Sequence, residues 1–158
     1  MAQIRRARAA DREGISRTHL ASIRGVDSTA YDETELAVWE AGASSVSYPI
    51  DDPETEFLVA ESDDEIAGFA EASLDDPELD KLYVAPAYQH QRIATALAEE
   101  IERSLRSTGA DSVYVEAAPN AAPFYERIGY ERVGTHRKAI TSDSSSAEMT
   151  VVDMEKEL

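Results

Sequence analysis

The chain has 158 residues, 42% of them hydrophobic, and 32 Asp plus Glu stand against 15 Lys plus Arg for a formal net charge of −17. That length fits one domain around one core, and so acidic a surface disfavours nucleic acids and anionic membranes as partners. There is no cysteine, which excludes a disulfide scaffold, a cysteine–zinc site and a thiol nucleophile.

No apolar run reaches the ~20 residues that cross a bilayer, and the segment MAQIRRARAADREG has no apolar core of a secretory signal. A cytoplasmic protein is the expectation. The acid is spread along the chain, so it does not read as a disordered tail. Lysine is confined to Lys81, Lys138 and Lys156. Diffuse acid with little lysine resembles proteins of salt-loving organisms, where concentrated salt screens self-repulsion.

In chain order, Ile4–Ala7 reads as a strand. Asp11 is placed to cap a helix through Arg24, with Ile15, Leu20 and Ile23 as its apolar side. A second helix is expected from Asp32, where Glu35 completes a capping-box spacing and Leu36 and Trp39 follow. Residues 41–55 read as loop. Phe57–Glu61 and Ile66–Ser73 form a hairpin around an acidic turn, and Glu78–Val84 is a strand stopped by Pro86. Asp80 shares the face of Glu78 unless a bulge intervenes.

Ile93, Leu97, Ile101 and Leu105 recur every four residues, the stripe of a helix that begins near Gln91 and is capped by Gly109. Glu99–Arg103 and Glu102–Arg106 pair on its wet side. Ser112–Ala117 is a strand. Asn120 can cap a short helix that tolerates Pro123 in its first turn and ends at Gly129. Tyr130–Arg137 and Met149–Glu155 are the last strands, joined by a small polar segment, Thr141–Ala147. Strands and helices in this order make a mixed α/β domain. His19, His90 and His136 show no metal spacing, and no metal is expected.

The stretch LYVAPAYQHQRIATAL, residues 82–97, runs from a strand into a long helix. A helix start offers free N–H groups and the positive end of the dipole to an anion. Gln89, His90, Gln91, Arg92 and Thr95 add neutral donors and one firm positive charge where the chain is otherwise acidic. This stretch resembles the acetyl-CoA-binding motif of the GNAT (GCN5-related) N-acetyltransferase superfamily. Gln89 takes the first motif position and Ala94 the last, while Arg92 stands where the family usually has glycine, so its side chain must turn away or reach a phosphate. Residues 113–134, VYVEAAPNAAPFYERIGYERVG, resemble a second family pattern through Asn120, Phe124, Tyr125, Gly129 and Tyr130. The resemblance covers the chain in order, including the closing VVDMEKEL.

The resemblance implies a sheet of about seven mostly antiparallel strands with about four helices, and acetyl transfer from acetyl-CoA to a primary amine by direct attack. A non-catalytic CoA-binding module of the same fold is the alternative. It implies that Leu82, Tyr83 and Val84 meet the pantetheine arm through backbone groups, one N–H of which would stabilise the oxyanion. Gln89, His90, Gln91, Arg92, Ile93, Ala94 and Thr95 would hold the pyrophosphate. Asn120 and Phe124 would contact the cofactor arm, although Asn120 equally suits a cap and Phe124 the core. Tyr125 matches the tyrosine that protonates the departing thiolate, against a packing role. Glu78 sits where several members carry the general base, with Asp80, Glu71 or a water chain left open. Tyr31 and Trp39 resemble acceptor-side positions, although Trp39 reads better as a core anchor. The acceptor is a small-molecule or peptide amine, and a homodimer is compatible with this reading.

Overall fold

The computed structural model describes residues 2–24, 48–141 and 146–158. Strand β1 (Gln3–Arg6) leads through a 3-10 turn (Ala9–Asp11) into helix α1 (Arg12–Arg24). Strands β2 (Thr55–Ser62), β3 (Glu65–Ser73) and β4 (Glu78–Val84) follow, then helix α2 (Ile93–Ser107), strand β5 (Ser112–Ala117), helix α3 (Ala122–Arg127) and strands β6 (Glu131–Thr141) and β7 (Ser146–Glu157). They form one seven-stranded sheet in the order β1-β2-β3-β4-β5-β7-β6. Among the described strands only β4 and β5 run parallel, and the α2 crossover between them brings the chain back to the same end of the sheet. The expected mixed, mostly antiparallel α/β sheet is therefore present. The described residues hold three α-helices. The second helix expected from Asp32, with Tyr31 and Trp39, lies outside them.

On one face of the sheet α2 buries its expected stripe: Ile93, Leu97, Ile101 and Leu105 pack with Leu79, Val113, Val115, Val152 and Met154. Both later helices close by the same device. Gly109 (φ +90°) and Gly129 (φ +106°) take the left-handed conformation. The following residues, Ala110 and Tyr130, then donate back to the carbonyls of Leu105 and Tyr125 at 3.1 and 3.0 Å. That 6→1 bond uses a helix-end carbonyl left without an intrahelical partner.

Several sequence expectations are corrected. Glu102 is not on the wet side: it is 3% exposed, bonded to Lys156 Nζ at 2.8 Å, with Arg106 at 3.8 Å. Glu100, rather than Glu99, pairs with Arg103. Among the described side chains of α1 the buried ones are Ile15, as expected, with Thr18, His19 and Ser22, which apolar counting passes over because they are polar. Each of these three is bonded. Thr18 donates to Ile66 O at 3.0 Å, Ser22 to Val84 O at 3.0 Å, and His19 Nδ1 lies 3.0 Å from the Tyr48 hydroxyl. Gly14 brings α1 close to β3, where an added Cβ would sit 2.8 Å from Ile66 Cγ1. Asp11 does not cap α1. Its carboxylate faces backward, accepting from Arg8 N–H at 2.7 Å and from the Arg5 guanidinium at 2.8 Å, which holds its pKa below the ordinary value.

The feature that positions the site is a bulge in β4. Glu71 pairs with Lys81 and Ala72 with Leu79, so Asp80 is an extra residue with no partner across the ladder. Leu79, Leu82 and Val84 consequently share the α2 face, while Tyr83 joins Phe69, Phe57, Ile15 and Tyr48 on the α1 face. Beyond Leu79↔Val115 the parallel strands β4 and β5 no longer pair. A bulge locally bends and twists a strand, and here the sheet opens into a cleft.

Candidate active site

The cleft has a volume of about 310 Å³. One wall is β4 from Leu79 to Val84, and the other is Val115–Ala118 with Asn120, Ala121 and Tyr125. Leu82, Tyr83, Val84, Gln89, Asn120 and Tyr125, all expected site residues, meet here. A second cavity of about 770 Å³ contains His90, Arg92, Ile93, Ala94, Thr95 and Phe124. Val84, Gln89 and Asn120 line both, so the two are parts of one bent groove. Of the expected binding residues only Gln91 lines neither; it is exposed.

The head of α2 lies two residues later than the sequence implies. His90 (φ 66°) and Arg92 (φ 63°) are both left-handed, which blocks helix formation before Ile93. A non-glycine residue in that conformation carries strain of about 1 kcal/mol or more. The structure thus keeps the backbone that a glycine would adopt, with an arginine side chain added. The first N–H groups of α2 belong to Ile93, Ala94 and Thr95, which have no acceptor within the helix and line the second cavity. Arg127, at the end of α3, lines the same cavity. Sequence reading missed it, since one arginine closing a short helix is ordinary. Asn120 is not the cap of α3; Ala121 occupies that position without a side-chain cap, and Asn120 faces the groove instead.

Tyr125 is 6% exposed, edge-on to Phe124 and Tyr130 at 5.2 and 5.3 Å between centroids. Burial, and secondarily Tyr83, raise its pKa well above that of a free phenol, so it holds its proton at neutral pH. Tyr83 on the facing wall rests on His19, 4.4 Å between centroids. Burial pushes His19 down to about 4, with Lys81 adding to the effect, so it is neutral at neutral pH.

The carboxylates fall differently from expectation. Asp80 and Glu116 line the cleft, and Glu78, two residues before Asp80, is not among its lining residues. Glu78 is pushed up to about 7, first by burial and then by Asp80 and Glu116. Glu71 is buried, raised by burial, and bonded to Lys81 Nζ at 3.3 Å. Glu116 was not singled out in the sequence, because its partners come from other strands. His136 Nε2 lies 3.0 Å from Glu116 Oε2, and His136 Nδ1 lies 3.0 Å from Asp153 Oδ2. Asp153 also accepts from the Tyr114 hydroxyl, and Lys138 Nζ reaches Glu116 Oε1 at 3.3 Å. Among the described residues, Glu116, His136 and Asp153 alone bring ligand-type atoms together as a metal site would, within 4.8 Å of one another. Both imidazole nitrogens are occupied by the two carboxylates.

The family model described as the acetyltransferase (GNAT) domain matches residues 27–158, and the chain belongs to that family. A GCN5-related N-acetyltransferase structure from Rhodopseudomonas palustris superimposes with a TM-score of 0.83 at 23% identity, covering 100% of this chain and 96% of the other. The PaiA N-acetyltransferase of Thermoplasma acidophilum, solved with coenzyme A, gives 0.80 at 21% identity, covering 100% and 99%. YncA from Salmonella typhimurium, solved with acetyl-CoA, gives 0.67 at 17% identity, covering 100% and 94%. A comparison with curated protein sequences finds no match.

Proposed function

We propose that this chain transfers an acetyl group from acetyl-CoA to a primary amine by direct attack, with no covalent enzyme intermediate. The observation that carries the proposal is the single bent groove running from the head of α2, past Asn120, to Tyr125 in the split between β4 and β5. In this reading the pyrophosphate lies on the N–H groups of Ile93, Ala94 and Thr95, with Gln89, His90, Arg92 and Arg127 around it. The pantetheine arm follows Leu82, Tyr83 and Val84, where a sheet edge opened by the split offers backbone groups to the amide-rich arm. A backbone N–H of β4 then stabilises the oxyanion of the tetrahedral intermediate.

Tyr125 gives its proton to the departing thiolate. A free phenol holds its proton more tightly than a free thiol, by about 1.5 pKa units, and burial tightens it further. The thiolate leaves within the same buried cleft, so desolvation raises its proton affinity too, and the transfer remains feasible. Glu78, near neutrality, suits a general base for the amine, and Asp80 and Glu116 on the cleft wall link it to the acceptor. Asn120 and Phe124 contact the cofactor arm.

We further propose one domain working in the cytoplasm at high salt. Calorimetric titration of CoA in molar KCl, followed by thiol release over a panel of primary amines, tests the function. Binding with release is expected. No binding at millimolar CoA removes the enzyme reading, and binding without release on any amine leaves a CoA-binding module.

A further inference from the structure

We infer that Glu116 and His136 form the outlet by which the proton of the acceptor amine leaves the cleft for solvent, His136 acting as a positioning and relay residue rather than touching the substrate. The inference rests on the acetyltransferase reading. It begins from a requirement of that chemistry. A neutral amine forms its C–N bond as the C–S bond breaks, and the nitrogen must then shed one proton. The departing thiolate takes a different proton, that of Tyr125, whose phenolate is reprotonated from solvent. One proton must therefore leave on the amine side while another enters on the sulfur side.

On the amine side titratable groups lead from the cleft wall to the surface. Asp80 and Glu116 line the cleft, and the charges of both act on Glu78. Glu116 Oε2 is 3.0 Å from His136 Nε2. The His136 side chain is 43% exposed, so the ring spans from a cleft wall to water. Its other nitrogen is fixed by Asp153 Oδ2 at 3.0 Å, and Asp153 is itself held by the Tyr114 hydroxyl. With Nδ1–H donating to Asp153, Nε2 presents its lone pair to Glu116, the tautomer that accepts a proton from the cleft. Lys138, on the same strand, bonds the other oxygen of Glu116 at 3.3 Å and keeps that carboxylate aimed between cleft and ring.

The groups facing His136 are Glu116 from β5, Asp153 from β7 with Tyr114 behind it, and Lys138 beside Glu116 on β6. The hydrogen bond to Asp153 first, with the Asp153 and Glu116 charges, raises the His136 pKa above its ordinary value. Protonated, the ring has no lone pair to offer and the outlet is shut; it opens as pH rises through that raised value.

The test uses the full-length protein, acetyl-CoA and whichever panel amine the wild type acetylates fastest, followed by thiol release. His136→Ala is expected to lose about tenfold in kcat, with the KM of acetyl-CoA unchanged. Added imidazole should restore the rate in proportion to its unprotonated fraction. His136→Gln, which keeps a polar group of similar size, should show the same loss and the same altered pH profile if folding is not the cause. Full activity in both variants overturns the outlet, as does a loss that imidazole leaves untouched in both. Turnover abolished by a chelator and restored by a divalent ion would assign Glu116, His136 and Asp153 to a metal and overturn it too. A wild type that binds CoA yet acetylates no amine fails at the acetyltransferase reading itself, and the outlet falls with it.

Discussion

Strand β7 carries two charge clusters, one on each face, and they are built alike but behave differently. On the α2 face Lys156 bonds Glu102 at 2.8 Å and the Ile128 carbonyl at 2.8 Å, with the Tyr130 hydroxyl 3.4 Å from the same carboxylate. On the opposite face, three residues earlier, Asp153 holds His136 and Tyr114, and His136 reaches Glu116. Each joins an acid, a base and a tyrosine. The first is shut away: Glu102 is 3% exposed, and Lys156 ties the end of α3 to α2 and β7. The second opens to the cleft on one side and to water on the other. A closed cluster fixes one arrangement of elements and has no route for a proton. An open cluster keeps its protons exchangeable, and its acids, the hydrogen bond to Asp153 first, raise the proton affinity of His136.

The two should separate on mutation, and the largest effect belongs to the closed cluster. Glu102→Ala strips the counter-charge from a partly buried lysine and should cost about 3 kcal/mol of stability, a Tm drop of roughly 6–12 °C at this chain length. Turnover per folded molecule should be unchanged; reduced turnover at full stability would erase the distinction between the faces.

Tyr125→Phe keeps the ring against Phe124 and Tyr130 and removes the hydroxyl. Turnover should fall by roughly 10²-fold, about 2.7 kcal/mol, in kcat and kcat/KM alike. Melting and CoA affinity should barely move. A variant that melts early instead would put Tyr125 with the closed, structural group.

Arg92→Gly reports on a third kind of position, where strain and ligand meet. Removing the side chain should relieve the left-handed backbone and raise Tm slightly. It should also remove a charge-assisted hydrogen bond to phosphate, lowering CoA affinity at least about tenfold. Calorimetry showing equal or tighter CoA binding would mean that the arginine points away from the cofactor.

A smaller effect is expected from pH. Glu78, raised to about 7, is protonated below that value and unable to act as a base. The turnover profile should therefore climb through about pH 7, and Glu78→Gln should leave only the part of that limb that follows His136. The same raised value bears on folding. The carboxyl contributes stability that is fully present below its unfolded pKa and lost as pH rises through about 7, so Glu78→Gln should be mildly stabilising at pH 8. The smallest difference is in salt. Screening falls to about 3 Å at 1 M, which weakens the exposed pairs around His136 more than Glu102–Lys156, while relief of the −17 net charge should raise Tm from low to molar KCl. A flat melting profile would remove the high-salt reading.

Much of this was legible in the sequence where the signal is local. The apolar stripe of α2, the glycines after α2 and α3, and the strand Glu78–Val84 follow from spacing and propensity, and the segments carrying Gln89–Thr95 and Asn120–Tyr125 fall on the groove. What failed was non-local. Glu102 looks like a solvent-facing member of an i,i+4 pair until Lys156, fifty-four positions away, covers it. Glu116, His136 and Asp153 belong to three strands and share no spacing that could have flagged them. Thr18, His19 and Ser22 have no place in an apolar count for α1, because their acceptors and neighbours, Ile66, Tyr48 and Val84, come from elsewhere. Helix α2 starts late because two non-glycine residues take up positive φ, which composition alone does not reveal.

The bulge at Asp80 makes β4 behave like text read in two-letter words. One inserted letter changes the meaning of every word after it: Lys81 and Tyr83 are turned to one face, Leu82 and Val84 to the other. Substitution and deletion at this position are therefore different kinds of event. Asp80→Ala or Asp80→Gly changes one letter and leaves the frame. Removing Asp80 shifts the frame, drives a lysine and a tyrosine toward α2, and turns a leucine and a valine toward the α1 face. An engineer wishing to reshape the pocket would do better to move the bulge than to repaint its walls.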